Sequence, residues 1–201
     1  VTTTLTLFEE ILEAKKQFEG VVYSTPLQTN RNLSDYFQAN ISLKREDLQV
    51  VRSYKIRGAY NKMSALTLSE KQQGIVCASA GNHAQGVAYS CNLLQIKGKI
   101  FTPLTTPKQK IKQVKLFGKE YIEIVLTGDT FDDANSTANE VCKAENKIFI
   151  HPFDDFKVIA GQGTIGLELL EDCSEIIDYI FVPIGGGGLA SGLSTVFKKL
   201  S

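Results

Sequence analysis

Tryptophan is absent from this chain, methionine occurs once, and there are only two histidines, His83 and His151, far apart in sequence. No excess of one charge exists either: 22 Lys and Arg balance 22 Asp and Glu. No net field therefore draws the chain to nucleic acid or to an anionic membrane. No apolar run approaches the roughly 20 residues that a membrane-spanning helix needs. Residues 1–20 mix Thr, Glu and Lys without an apolar h-region, so a secretory signal is not expected and a cytoplasmic protein is. The four cysteines, Cys77, Cys91, Cys142 and Cys173, include no C-x-x-C pair. With histidines so dispersed, that spacing argues against a zinc site and reads as reduced thiols packed as small hydrophobes. The Asn-x-Ser/Thr triplets at Asn32, Asn40 and Asn135 are then chance matches.

What is present is ordinary for a globular protein: 43% hydrophobic and 22% charged residues in a chain of 201. That excludes disorder, collagen and coiled coil, and the length allows one to two domains. Residues 6–18 read as an amphipathic helix, with Thr6 and Glu9 at capping-box spacing and Phe8, Ile11, Leu12 and Lys15 along one face. Residues 41–44 read as a strand and 56–65 as a helix. From Gly74 the rhythm becomes strand and helix in alternation. Strands are expected at 75–78, 99–102, 121–126 and 148–150, and helices at 83–94, 106–117 and 130–144, with Thr106-Pro107 as a capped start. Such alternation calls for right-handed crossovers and a parallel sheet covered on both faces. A helix over 158–170 follows, then a buried strand over 179–182 that enters Gly185-Gly186-Gly187-Gly188, then a helix to Leu200.

Three pieces carry chemistry. Glycines between a strand and a helix let backbone N–H groups approach an anion, and the helix N-terminus adds partial positive charge. The run lacks the dinucleotide G-x-G-x-x-G spacing and the Lys-Ser/Thr of a nucleotide loop, so it points to a small phosphorylated ligand, or to a flexible loop. The turn Ser79-Ala80-Gly81-Asn82-His83 opens a helix and suits a carboxylate or phosphate, or plain capping. Lys55, in Ser53-Tyr54-Lys55-Ile56-Arg57-Gly58, enters a helix N-terminus whose field disfavours its charge; it is a nucleophile candidate or a solvated surface amine.

These three blocks together closely resemble threonine dehydratase (threonine deaminase), a pyridoxal-phosphate enzyme with the tryptophan synthase β-chain fold. Lys44-Arg45-Glu46-Asp47-Leu48-Gln49, His151-Pro152-Phe153-Asp154-Asp155 and Gly161-Gln162-Gly163-Thr164-Ile165-Gly166-Leu167-Glu168 extend the resemblance. It covers nearly everything from Thr25 onward. Tyr54 stands where the family often has Phe, and Arg52 where many members have His.

The resemblance implies an α/β fold of two parallel-sheet, three-layer domains. Residues 1–66 and 150–201 would be parts of a large cofactor-binding domain, truncated and incomplete in this chain, and 67–149 a small domain. Lys55 would bond the aldehyde of pyridoxal 5'-phosphate and act as the catalytic base. Asn82 would bind the cofactor's phenolic oxygen, and the amides of Gly185, Gly186, Gly187, Gly188 and Leu189 its phosphate. Ser79, Ala80, Gly81, Asn82 and His83 would receive the carboxylate of a small amino-acid substrate, with the His83 ring in a structural role. L-threonine or L-serine would lose water and ammonia, giving 2-oxobutanoate or pyruvate. The residue facing the pyridine nitrogen in the family is expected beyond Ser201. No nucleic-acid or membrane partner is expected, and the full-length protein would be a homo-oligomer. Serine racemase, a β-replacement enzyme and a non-catalytic module are the alternatives. The racemase would need a serine hydroxyl where Ala80 stands.

Overall fold

The computed structural model describes residues 5–200. The outermost positions of the two expected large-domain segments, 1–4 and 201, lie outside the described residues. Helix α1 (Leu7–Gln17) begins at the capping box read from the sequence: Thr6 Oγ1 accepts from Glu9 N, and the Glu9 carboxylate accepts from Thr6 N at 2.7 Å. Two orphan amides are thereby satisfied. A two-stranded antiparallel ribbon follows, β1 (Leu27–Thr29) against β2 (Ser42–Lys44), with helix α2 (Arg31–Phe37) between them. Then come α3 (Lys55–Ser64) and α4 (Leu68–Gln73).

The parallel sheet is built from β3 (Ile75–Ala78), β4 (Gly98–Thr102), β5 (Ile122–Leu126) and β6 (Ile148–Phe149), in the order β5-β4-β3-β6. Its crossover helices are α5 (Asn82–Leu94), α6 (Lys108–Gly118) and α7 (Phe131–Ala144). Side chains alternate across a strand. Ile75, Cys77 and Ile100 accordingly face α5 and α6, packing on Ala84, Val87, Ala88, Cys91 and Val114. Val76, Ala78 and Phe101 face the other way, onto Ala134 and Ala138 of α7. With both faces covered, the strands read as continuous apolar runs, as a buried parallel sheet must.

The remaining helices, α8 (Phe156–Asp172) and α9 (Gly188–Leu200), pack with α1 and α3. The α8–α9 contact is close because glycine meets glycine: a Cβ on Gly192 would lie 2.7 Å from the Cα of Gly163. The two groups of helices share a core, since Ala59 and Met63 of α3 pack in the same cluster as Ile75 and Cys77.

Two expectations are corrected. Residues 179–182 form no strand and are not buried: Tyr179 and Phe181 are 83% and 96% exposed. Extended backbone needs a ladder partner, and no strand of the described residues lies beside this segment. Among the described residues there is one parallel sheet, and the other sheet is the antiparallel β1–β2 ribbon. Nor does Thr106 cap α6. Its hydroxyl is 2.6 Å from that of Thr102, and Pro107 occupies the N-cap without a side-chain bond.

Candidate active site

Lys55 is the first residue of α3, at the helix end whose partial positive charge opposes an ammonium. Its half-buried amine donates to the carbonyl of Pro152 at 2.7 Å and sits 5.5 Å from the Tyr54 ring centroid. Burial pulls its pKa below the ordinary lysine value. The neutral amine, which is the nucleophilic form, is therefore more accessible than on an open surface. The backbone around Lys55 is placed by α5: a Cβ on Gly86 would come within 3.1 Å of the Lys55 carbonyl oxygen.

The Ser79-to-His83 turn joins β3 to α5. Ser79 N donates to Phe101 O at 2.9 Å, and Gly81 N donates to Ser79 Oγ at 3.2 Å. Gly81 faces open space, and Asn82 is exposed. The Asn82 side chain has no hydrogen-bond partner among the described residues. His83 is buried, and its Nε2 lies 2.9 Å from Ile150 O. A carbonyl only accepts, so Nε2 carries the proton. Burial, reinforced by the charges of Lys55 and His151 and only partly opposed by that hydrogen bond, lowers the His83 pKa to about 4. Its Nδ1 is buried and unpartnered among the described residues.

The glycine run lies at the start of α9. Gly187 has φ +85°, a conformation that favours glycine. The four positions alternate. A Cβ on Gly186 would fall into the Phe153 ring, and one on Gly188 would lie 2.7 Å from Phe153 O, whereas Gly185 and Gly187 have nothing within 4 Å. Leu189 is buried among Ile165, Leu169 and Leu193 and anchors the loop.

All three pieces meet on one segment. His83 holds Ile150, Lys55 holds Pro152, and Gly186 and Gly188 lie against Phe153. No hydrogen bond joins Ser79, Asn82, Gly185 or Gly187 to Lys55 among the described residues. Sequence reasoning quoted His151-Pro152-Phe153 only as part of the resemblance and gave residues 150–153 no place in the site; two histidines separated in sequence gave no sign that they converge there.

A second feature missed is the support beneath Lys55. Arg57 is fully buried and bonds Glu46 Oε1 at 2.7 Å, Glu168 Oε1 at 2.6 Å and Thr164 Oγ1 at 3.0 Å. Lys44 adds an ion pair to Glu168 at 2.7 Å. Every charge is paired, which a buried cluster requires. For Arg57 and Glu168 the cue was a charge lodged inside an otherwise apolar or glycine-rich block.

Of two cavities, one lies away from Lys55 and one beside the turn. A shallow cleft of about 230 Å³ is lined by Gln28, Asn30, Arg31 and Arg45 on the β1–β2 ribbon, away from Lys55. A void of about 10 Å³ beside Ser79 and Ala80 has room for one water. Among the described residues, no group of three His, Cys, Asp or Glu is placed to hold a metal ion, and no helix is long and apolar enough to cross a membrane.

Comparison with known proteins adds the chemistry. The model of the family described as "Pyridoxal-phosphate dependent enzyme" matches residues 18–201. The biosynthetic L-threonine dehydratases of Halalkalibacterium halodurans and Bacillus subtilis are each 56% identical over 193 residues, covering 96% of this chain and 46% of theirs. The chain thus spans about half the length of these curated relatives. Processed threonine deaminase isoform 2 from Solanum lycopersicum superposes with a TM-score of 0.90 at 43% identity, over 97% of this chain and 53% of that one. Maize serine racemase superposes with the same TM-score at 33% identity, over 96% of this chain and 57% of its own.

Proposed function

Because the chain belongs to the pyridoxal-phosphate-dependent enzyme family, we propose that it serves the dehydration and deamination of L-threonine, and of L-serine, to 2-oxobutanoate or pyruvate and ammonia. The observation that carries this reading is the convergence of Lys55, the Ser79–His83 turn and the glycine run on residues 150–153. The residues fit the cofactor: a half-buried amine with a lowered pKa, open glycines at a helix N-terminus, and an exposed amide in Asn82.

Pyridoxal 5'-phosphate, when bound, supplies the electron sink for α-carbanion chemistry. In this reading Lys55 would hold its aldehyde carbon, the amides of Gly185 to Leu189 its phosphate, and Asn82 its phenolic oxygen. The N–H groups of the Ser79–His83 turn receive the substrate carboxylate. The Lys55 amine, which burial keeps accessible in the neutral form, would take the α-proton as general base. Neutral His83 already spends its Nε2 proton on Ile150, which supports a structural rather than a proton-moving role. Residues 67–149 would form the small domain, and 1–66 with 150–201 parts of the large one. We propose a biosynthetic role for the full-length protein, in keeping with the names of its relatives, and propose that it is a cytoplasmic homo-oligomer.

The test uses the full-length protein saturated with cofactor. It should release 2-oxobutanoate from L-threonine, and borohydride reduction with peptide mapping should leave the pyridoxyl group on Lys55. An adduct on another lysine would refute the assignment.

A further inference from the structure

We propose that both histidines of the chain are positioning residues for Lys55, acting from two sides through the loop 150–154. The inference rests on the reading of Lys55 as the cofactor-bearing amine. The loop links β6 to α8, outside regular structure, yet five of its backbone groups are tied: Ile150 N and O, Pro152 O, Phe153 N and Asp154 N. Ile150 N donates to Val76 O at 2.8 Å, continuing the ladder, while Ile150 O accepts from His83 Nε2 at 2.9 Å. On the far side, His151 Nδ1 accepts from Asp154 N at 2.7 Å and from Phe153 N at 3.3 Å. The His151 ring also packs edge-on against the Phe153 ring, with centroids 4.7 Å apart.

Pro152 lies between these two anchorages. It has no N–H of its own and a fixed φ, so the direction of its carbonyl is set by what holds its neighbours. That carbonyl is the acceptor for Lys55 Nζ. One imidazole must keep its proton on Nε2 to hold Ile150, and the other must keep Nδ1 bare to accept two amides. Both are therefore needed in the neutral form and in one tautomer each. Neither ring bonds Lys55 directly, which makes them positioning residues. A merely structural histidine would affect folding but leave the amine's chemistry untouched once the protein is folded.

The experiment compares H83A, H83Q and H151A with the unaltered full-length protein, each checked for native circular dichroism. In the apoprotein, trace acetylation measured across pH reads the Lys55 amine alone. In the holoprotein, the rate at which borohydride traps the cofactor on Lys55, and the pH midpoint of the visible band, read its placement. H83A and H151A should each slow trapping by about tenfold or more, the order expected when a reacting group is misplaced by a fraction of an ångström. The acetylation and visible-band midpoints should both shift. H83Q, whose side-chain amide can still donate to Ile150 O, should recover most of the loss. If H83A does not fold, H151A and H83Q decide the matter. Folded H151A with unaltered trapping and unaltered midpoints overturns the inference, as does H83Q trapping no faster than a folded H83A. An adduct away from Lys55 in the unaltered protein overturns the functional reading instead.

Discussion

Arg57 grips Glu168 with both terminal nitrogens, Nη1 at 2.6 Å and Nη2 at 2.9 Å, and neither side chain reaches solvent to any extent. The pair ties α3 to α8 two residues after Lys55, so the lysine's backbone is fixed by charges that face away from it. Replacing Arg57 by Met leaves Glu46 without its buried partner and Glu168 with Lys44 alone. Removing one member of a buried ion pair costs about 3–5 kcal/mol. Urea unfolding should show a loss of that order for R57M, and R57K should recover little, since an ammonium cannot bond two carboxylates in a planar fork. A loss within experimental error would mean that the cluster is not what holds α3.

Neighbouring glycines should respond in opposite ways. Gly186→Ala drives a methyl group into the Phe153 ring and should destabilise the apoprotein by about 1–3 kcal/mol. Gly185→Ala meets nothing within 4 Å and should leave apoprotein stability within about 0.5 kcal/mol. If the proposed phosphate site is right, the same change should still weaken cofactor binding. Thermal melts and a cofactor titration of both variants separate packing from ligand contact.

Acid should weaken the fold before most carboxylates titrate. The His83 pKa falls from 6.5 to about 4 on folding, chiefly through burial. The unfolded chain therefore binds a proton that the folded chain refuses. Above pH 6.5 the ring is neutral in both states and the penalty vanishes. Between pH 6.5 and 4 stability declines as pH falls, by about 3 kcal/mol in all for a shift of this size. His151, lowered mainly by burial as well, adds a loss of the same sign. Denaturation midpoints measured across this window should be steeper for the unaltered protein than for H83Q; equal slopes would remove His83 as the cause.

Residue 80 bears on the choice of reaction. Ala80 is half-buried at the substrate turn and carries no group that can move a proton. Incubation with L-serine should accordingly yield pyruvate without D-serine. Chiral chromatography of the residual amino acid decides this, and D-serine accumulating as fast as pyruvate would contradict the role given to the turn.

Much of this was legible in the residues. Thr6 and Glu9 announced α1, the helix expected over 130–144 stands as α7, and the strands 75–78 and 148–149 lay where apolar runs alternate with helices. What failed, failed for physical reasons. Tyr179-Ile180-Phe181-Val182 has the composition of a buried strand, but composition cannot supply the neighbour that burial requires. Leu27–Thr29 was too short to announce itself and exists through pairing with Ser42–Lys44. At Thr106 a hydroxyl free to cap a helix found Thr102 instead. Within the site, the motifs marked Lys55 and the glycine run. Their meeting at residues 150–153, by contrast, depends on contacts between positions 67 and 97 apart in sequence, beyond any local pattern.

The approach of Gly86 to the carbonyl of Lys55 sets the tolerance of this arrangement. Asn82 and His83 stand one helical turn before Gly86, on the same rigid α5. The spacing between the amine's anchor and the turn is therefore fixed by main-chain van der Waals radii, with no side-chain rotamer interposed. Contacts made through side chains loosen on warming as rotamers multiply. This one has no rotamers to populate, so the calibration of lysine against turn should persist with temperature until the two helices part.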